Sequence, residues 1–226
     1  MHKRKRFKIT DILIGVVFTL FFISLSVIIT INFRPLYYFD VNYLNIVETS
    51  GYSKEEIIDN YNALIDYSSP FFQGRLEFPT LPSSESGIQH FEEVKNIFTF
   101  FYLLVALSFI IVIMIILQKI KKKDYSFLPV SAITAIVLPL TLGLFMAIDF
   151  DTSFLVFHKL FFNNDYWLFD PATDPVINIL PDTFFLHSAL LIILLVLLGS
   201  LSLYLIYLHL NKKTGIKHRK IKGIKI

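Results

Sequence analysis

Four long apolar runs, separated by stretches of quite different polarity, set the plan of this chain. Ile12–Ile31 carries no charge, and neither do Ile97–Leu117, Leu128–Ile148 and Phe184–Leu208. Each is long enough to cross a hydrocarbon core of about 30 Å as a helix. Arg34-Pro35 should end the first run, because proline disfavours a helical residue before it. In the third, Pro129 suits the first turn and Pro139 should kink the helix. Between the runs, Ser53-x-x-Glu56 reads as a capping box opening a helix to about Tyr67, with Ile57, Ile58, Tyr61, Leu64 and Ile65 on one face. Ser86-x-x-Gln89 reads as a second box, whose helix should carry His90 and Glu93 straight into the run at 97. Seven residues at about 1.5 Å each place His90 roughly 10 Å before that run begins. Phe154, Phe157, His158, Phe161 and Phe162 follow i, i+3, i+4, i+7, i+8 spacing, so a helix there carries an aromatic stripe with a histidine inside it. Asn163-Asn164 is a natural stop, and Asp170-Pro171 and Asp174-Pro175 read as turns.

Composition agrees: of 226 residues, 54% are hydrophobic and only 17% charged, less charge than a soluble domain carries. The expected fold is all-α and integral to a membrane, a single membrane domain over 1–226 with four transmembrane helices. Charge then orients it. The two termini and the 118–127 turn hold 16 Lys/Arg and 2 Asp/Glu, while 32–96 and 149–182 hold 5 Lys/Arg and 16 Asp/Glu. The positive-inside rule puts both termini in the cytoplasm of a multi-pass protein. Residues 32–96 become an extracellular cap, too small to fold alone and packed onto the helices. Residues 149–182 become an extracellular re-entrant or interfacial segment.

The chain has no cysteine, which excludes disulfides, thiolate nucleophiles and Cys-ligated metals. There is no HExxH, no GxSxG elbow and no glycine-rich phosphate loop, and nothing points to nucleic acid. His90 and His158 are the candidate chemistry, at the outer ends of spans. Glu93, at i+3 from His90, is placed to orient its ring, and Asp165, Asp170 and Asp174 lie near His158 in sequence. His2, His218, His187 and His209 are weaker candidates, in basic tails or at the ends of the fourth span. Two readings of these residues stand: an intramembrane hydrolase or protease using the histidines around a metal, and a non-catalytic lipid-binding scaffold whose aromatic stripe is only an interfacial anchor.

The segments GYSKEEIIDNYNALIDY, SGIQHFEEVKNIF and FHKLFFNNDYWLFDPATDPVINILPDTFF resemble the bacterial lipoprotein intramolecular transacylase family, four-span membrane proteins, over nearly the whole chain. Glu93 departs from the aspartate expected in the His-x-x-acid patch. The resemblance implies an enzyme of the plasma membrane that acts on diacylglyceryl-modified lipoproteins amid membrane lipid. It implies transfer of the glycerol sn-2 acyl chain to the α-amine of the N-terminal cysteine, giving the lyso form, without a cofactor. The catalytic histidines would be His90, as base, and His158, which polarises the ester carbonyl or protonates the leaving oxygen. Glu93, Asp165 and Asp170 would support them, and Phe157, Phe161, Phe162, Tyr166 and Trp167 would line an aromatic pocket for the substrate. The chemistry suits these residue types: an α-amine of pKa about 7.7–8.0 needs a base, and imidazole near 6.5 is neutral at pH 7.

Overall fold

A computed structural model describes residues 8–222, with side chains to 212, and among these residues every regular element is helical. His2 and the cations at 3–6 lie outside the described residues, as do the side chains of His218 and of the tail from Lys213 on. The helices are α1 (Ile9–Asn32), α2 (Arg34–Tyr43), α3 (Ile46–Ser50), α4 (Lys54–Tyr67), α5 (Glu85–Lys121), α6 (Phe127–Ile148), α7 (Phe150–Phe161), α8 (Val176–Ile179) and α9 (Asp182–Lys222). Four stretches are long and apolar enough to cross a membrane: α1, α5, α6 and Asp182–Lys212 of α9. Their flanks stay bare, as at Leu103, Leu107, Val137 and Leu201, which suits lipid as the surrounding solvent. At 37 residues, α5 measures about 55 Å, nearly twice the hydrocarbon core. Its first three turns, with Glu92, Glu93 and Lys95, therefore precede the apolar run at 97–117.

The described chain forms two compact units. One holds the residues up to Ser24, Leu104–Thr141 and those from Ile193 onward. Phe18, Val112, Phe127, Leu128, Ala132 and Leu203 make its core. A closed polar cluster sits at one end. The Lys119 ammonium donates to Asp11 Oδ1 at 3.2 Å and to Asp124 Oδ2 at 3.0 Å, and the Ser126 hydroxyl donates to both carboxylates. Burial alone would depress the Lys119 pKa, but these bonds raise it, and Ser126 and Lys119 hold the Asp124 carboxyl well below its usual range.

The other unit, Leu25–Leu103 with Leu142–Ile192, has a core in which α2, α4 and α8 meet. Tyr37 stacks on Tyr61 with ring centroids 3.7 Å apart, and its hydroxyl donates to the Ile179 carbonyl at 2.6 Å. The Ser53–Glu56 capping box is complete, so α4 starts where the sequence says. Its buried stripe is Ile57, Asn60, Tyr61, Leu64 and Tyr67. Asn60 is fully buried and accepts the Thr80 and Leu81 backbone N–H groups at 3.2 and 3.3 Å, pinning the irregular 69–84 segment to the helix. Two expectations change. Arg34-Pro35 opens α2 rather than closing α1, which ends at Asn32; proline suits a helix's first turn, where its missing N–H costs nothing. The second capping box is not the one at Ser86. Ser84 caps α5, accepting Gly87 N–H at 3.0 Å, and Ser86 only shares a hydroxyl contact with Ser84 at 3.0 Å. The third run continues helical through Pro139.

Candidate active site

The second turn of α5 carries His90, and α7 carries His158. Both are buried, at 5% and 8% exposure, and their ring centroids are 6.0 Å apart. Only a histidine is buried on α7, and Val156, Leu160 and Phe161 are bare. The predicted stripe therefore divides: His158 and Phe162 are buried, while Phe157 and Phe161 are exposed. The helix is capped by Asp149, which accepts Thr152 N–H at 3.0 Å.

Aromatic rings close the space around the imidazoles. Phe162, at the C-cap of α7, sits 4.7 Å from His90 and 5.6 Å from His158. Trp167 lies 4.7 Å from His158, Phe154 4.1 Å, and Phe157 meets it edge-on at 5.4 Å. Phe169 meets His90 edge-on at 5.5 Å. Such surroundings disfavour charge. Burial, and then the neighbouring His158, lower the His90 pKa to about 4. Burial also lowers His158, against the Phe154 hydrogen bond and the Asp182 charge, which raise it.

The two rings differ in what holds them. His158 Nδ1 lies 2.8 Å from the Phe154 carbonyl oxygen. A carbonyl can only accept, so Nδ1 carries the hydrogen and Nε2 of the neutral ring is left with its lone pair outward. His90 Nδ1 is buried without any partner.

Glu93 does not orient His90. Its Oε1 accepts from Asn164 Nδ2 at 2.7 Å, and its Oε2 is buried and unpartnered. The reason lies in the loop after α7, where Asn164 is a hub. Besides reaching Glu93, it accepts Tyr166 N–H at 3.1 Å and, through its carbonyl, the Trp167 indole N–H at 3.0 Å. It thereby sets the indole against His158. Read in sequence as a helix stop, Asn164 was missed as a site residue, and its only signal was its place beside Trp167. Asp165 is exposed and makes no hydrogen bond to either histidine. Asp170 is also exposed and accepts Ala172 N–H at 2.9 Å, stabilising its own turn. Asp174 matters more: it is buried, accepts Ser84 N–H at 2.8 Å and the Thr173 hydroxyl at 2.8 Å, and so ties the loop to the start of α5. A Cβ at Gly87 would fall 2.2 Å from Asp174 Oδ1, so only glycine lets the two segments meet. Of the expected pocket residues, Phe157, Phe162 and Trp167 pack on the histidines. Phe161 packs on Phe157 at 4.7 Å instead, and Tyr166 is exposed. His187 lies apart and bonds Asp40 Oδ1 at 2.8 Å. Among the described residues no three His, Cys, Asp or Glu side chains converge as a metal-ligand set.

Buried imidazoles walled by aromatic rings, in an all-helical chain with four membrane-crossing helices, make this a polytopic membrane protein equipped for acid–base chemistry away from water. The chain belongs to the lipoprotein intramolecular transacylase family, Lit, whose family model matches residues 12–185. It is an acyltransferase integral to the membrane, and lipoproteins are its substrates. A solved structure of the membrane-integral transacylase Lit from Bacillus cereus superposes with a TM-score of 0.87 at 39% identity, covering 92% of this chain and 98% of that one. Two further structures of the same protein, one with a histidine replaced by arginine and one with it replaced by alanine, both superpose at 0.83 and 39% identity. They cover 92% of this chain, and 95% and 96% of theirs. No curated protein sequence matches.

Proposed function

We propose that His90 and His158 carry out transfer of the sn-2 acyl chain of an S-diacylglyceryl lipoprotein to the α-amine of its N-terminal cysteine. The observation that carries this reading is the pair itself: two dry imidazoles with ring centroids 6.0 Å apart, one with its tautomer fixed by a helix carbonyl. Amine and ester belong to one molecule, so folding the headgroup until they meet can be worth about 7–11 kcal/mol. Excluding water protects the ester from hydrolysis.

The fixed tautomer favours a division of labour opposite to the one expected from sequence. Neutral His158 has no hydrogen on Nε2 to offer a carbonyl, but a lone pair to receive a proton. The amine nitrogen attacks the ester carbonyl carbon while His158 Nε2 takes one N–H proton. The C–O bond to the glycerol sn-2 oxygen then breaks, and His158 returns the proton to that oxygen. The products are an amide and a free hydroxyl, and the enzyme ends as it began. His90 donates an N–H to the carbonyl oxygen as charge builds there. The burial that lowers both imidazole pKa values also disfavours the substrate ammonium, so base and nucleophile stay matched. No cofactor takes part.

The lysine and arginine distribution supports both termini in the cytoplasm, with residues 32–96 as an extracellular cap over the site. Substrate and product are isomers, so fragmentation mass spectrometry of a synthetic diacylglyceryl lipopeptide must show the acyl chain moved to the amine at unchanged total mass. Release of free fatty acid would show a hydrolase instead. The chain lacks cysteine, so single reporters at the exposed positions Asp59, Lys122 and Asp165 test the orientation: labelling of Asp59→Cys from the cytoplasmic side refutes it.

A further inference from the structure

Two buried polar atoms on one face of α5 have no partner in the protein: Nδ1 of His90 and Oε2 of Glu93. Residues three apart are neighbours on a helix, yet they do not satisfy each other, because Asn164 holds the carboxylate by Oε1 at 2.7 Å. The large majority of buried side-chain polar atoms have a partner, so two open ones side by side at the candidate site mark a place for a polar ligand. The nearby cations do not fill them. Arg75 is on Glu85 at 2.6 Å, and Lys95 donates to the Phe72 carbonyl at 3.0 Å. Glu93 also lines a cavity of about 620 Å³ whose other walls include Arg75, Glu85, Gln89 and Glu92. That lining is polar, unlike the aromatic walls around the histidines.

We infer that Glu93 binds the α-amine of the lipoprotein's N-terminal cysteine, while the ester carbonyl accepts from His90 Nδ1. An amino-ester headgroup has what both atoms lack, since an ammonium only donates and a carbonyl only accepts. The assignment rests on the transacylation reading and adds the group that orients the nucleophile. The surplus proton of the ammonium leaves to water through the polar cavity, which also takes the peptide following the cysteine. The amine stays hydrogen-bonded to Glu93 while His158 takes the next proton. Asn164 positions Glu93, fixing Oε1 so that Oε2 faces the substrate.

The test uses the full-length protein and two non-transferable probes, an ether-linked dialkylglyceryl cysteinyl peptide with a free amine and its N-acetylated form. Wild type should bind the free amine tighter by about tenfold or more, as a charge-assisted bond to carboxylate gives. Glu93→Gln should bring the ratio near one and Glu93→Asp should keep part of it. Asn164→Ala, which releases the carboxylate that it holds by Oε1, should lower the ratio as well, though by less than Glu93→Gln. A wild-type ratio of one, or an unchanged ratio in Glu93→Gln, overturns the assignment. Should Glu93→Gln not fold, an undiminished ratio in Glu93→Asp does the same. Failure of the transacylation reading shows elsewhere, as a diacyl lipopeptide that wild type leaves unconverted.

Discussion

Two clusters, one in each compact unit, treat their buried polar groups in opposite ways. Around Lys119, every charged group is answered: Asp11, at 1% exposure, has both the ammonium and the Ser126 hydroxyl, and Asp124 has the same two partners. Around His90 and His158 the partners are withheld, with a lone pair of His158, a nitrogen of His90 and an oxygen of Glu93 left open among aromatic rings. A closed cluster has no valence left for a substrate, so it can only hold helices together. An open one costs stability and keeps its atoms available, which is the usual trade at a reacting centre. Polarity and burial alone do not separate the two, since both units bury ionisable side chains. What separates them is how many partners the protein supplies.

The largest effect that can break this contrast is on the rate. A general base typically contributes about 10²–10⁴-fold, so His158→Ala should cut lipopeptide conversion by that factor, and His90→Ala by a comparable one. Groups acting on one step are strongly non-additive. The double variant should therefore be hardly slower than the worse single one. Asn keeps much of the size but cannot exchange the proton, and should fail nearly as badly. Near-wild-type conversion by both Ala variants, at matched expression, would mean that the stripe on α7 is an anchor and nothing more.

Lys119→Met addresses the closed side. It leaves the Asp11 carboxylate buried with one hydroxyl, a change that typically costs about 3–5 kcal/mol. Thermal unfolding in detergent should show the loss, while the folded fraction converts lipopeptide at the wild-type rate. A rate defect in fully folded Lys119→Met would refute the division between holding and reacting.

How far these roles were legible in the sequence follows the range of the interaction that creates them. The spans, the Ser53 cap and the inward histidine of α7 are written in spacing within a few residues. The pairing of His90 with His158 is suggested by their places at the outer ends of spans, and the family resemblance gives the pair its chemistry. Asn164 and Asp174 could not be read as ties, because each acts across about 70 to 90 residues on a backbone or carboxylate whose position a loop decides. Glu93 was read with the right neighbour and the wrong partner for the same reason: local spacing offered His90, and a distant asparagine took the carboxylate instead. The helix α2 is hidden because Arg34-Pro35 reads equally well as the stop of one helix and as the first turn of the next.

The pH dependence sharpens the contrast further. The folded protein holds His90 at about 4, whereas the unfolded chain titrates near 6.5. Between those values the unfolded state binds more protons. Stability is therefore full above about pH 6.5, falls as pH drops toward 4 and levels off below, a loss of about 3 kcal/mol from this group. The lowered His158 acts in the same direction. His90→Leu should flatten much of the slope in unfolding experiments between pH 7 and 4. An unchanged slope would mean the chamber around His90 is not dry.

The smallest expected effect concerns the acidic residues of the loop. Asp165 and Asp170 lie seven and twelve positions after His158, near enough in sequence to suggest that they steady its charge. Their geometry says otherwise: Asp165 is exposed and without a bond to either ring, and Asp170 spends its carboxylate on Ala172 N–H. Water screens an exposed carboxylate, so its influence on a buried imidazole is weak. Asp165→Asn should leave conversion within about twofold of wild type and stability within about 0.5 kcal/mol. Asp170→Ala should cost somewhat more in stability, since an Asx turn loses its acceptor, with the rate per folded molecule again unchanged. Measured at several salt concentrations, a tenfold rate loss in Asp165→Asn would show that this carboxylate does reach His158 in the working enzyme. The reacting centre would then extend beyond the aromatic walls, and the open cluster would have a partner after all.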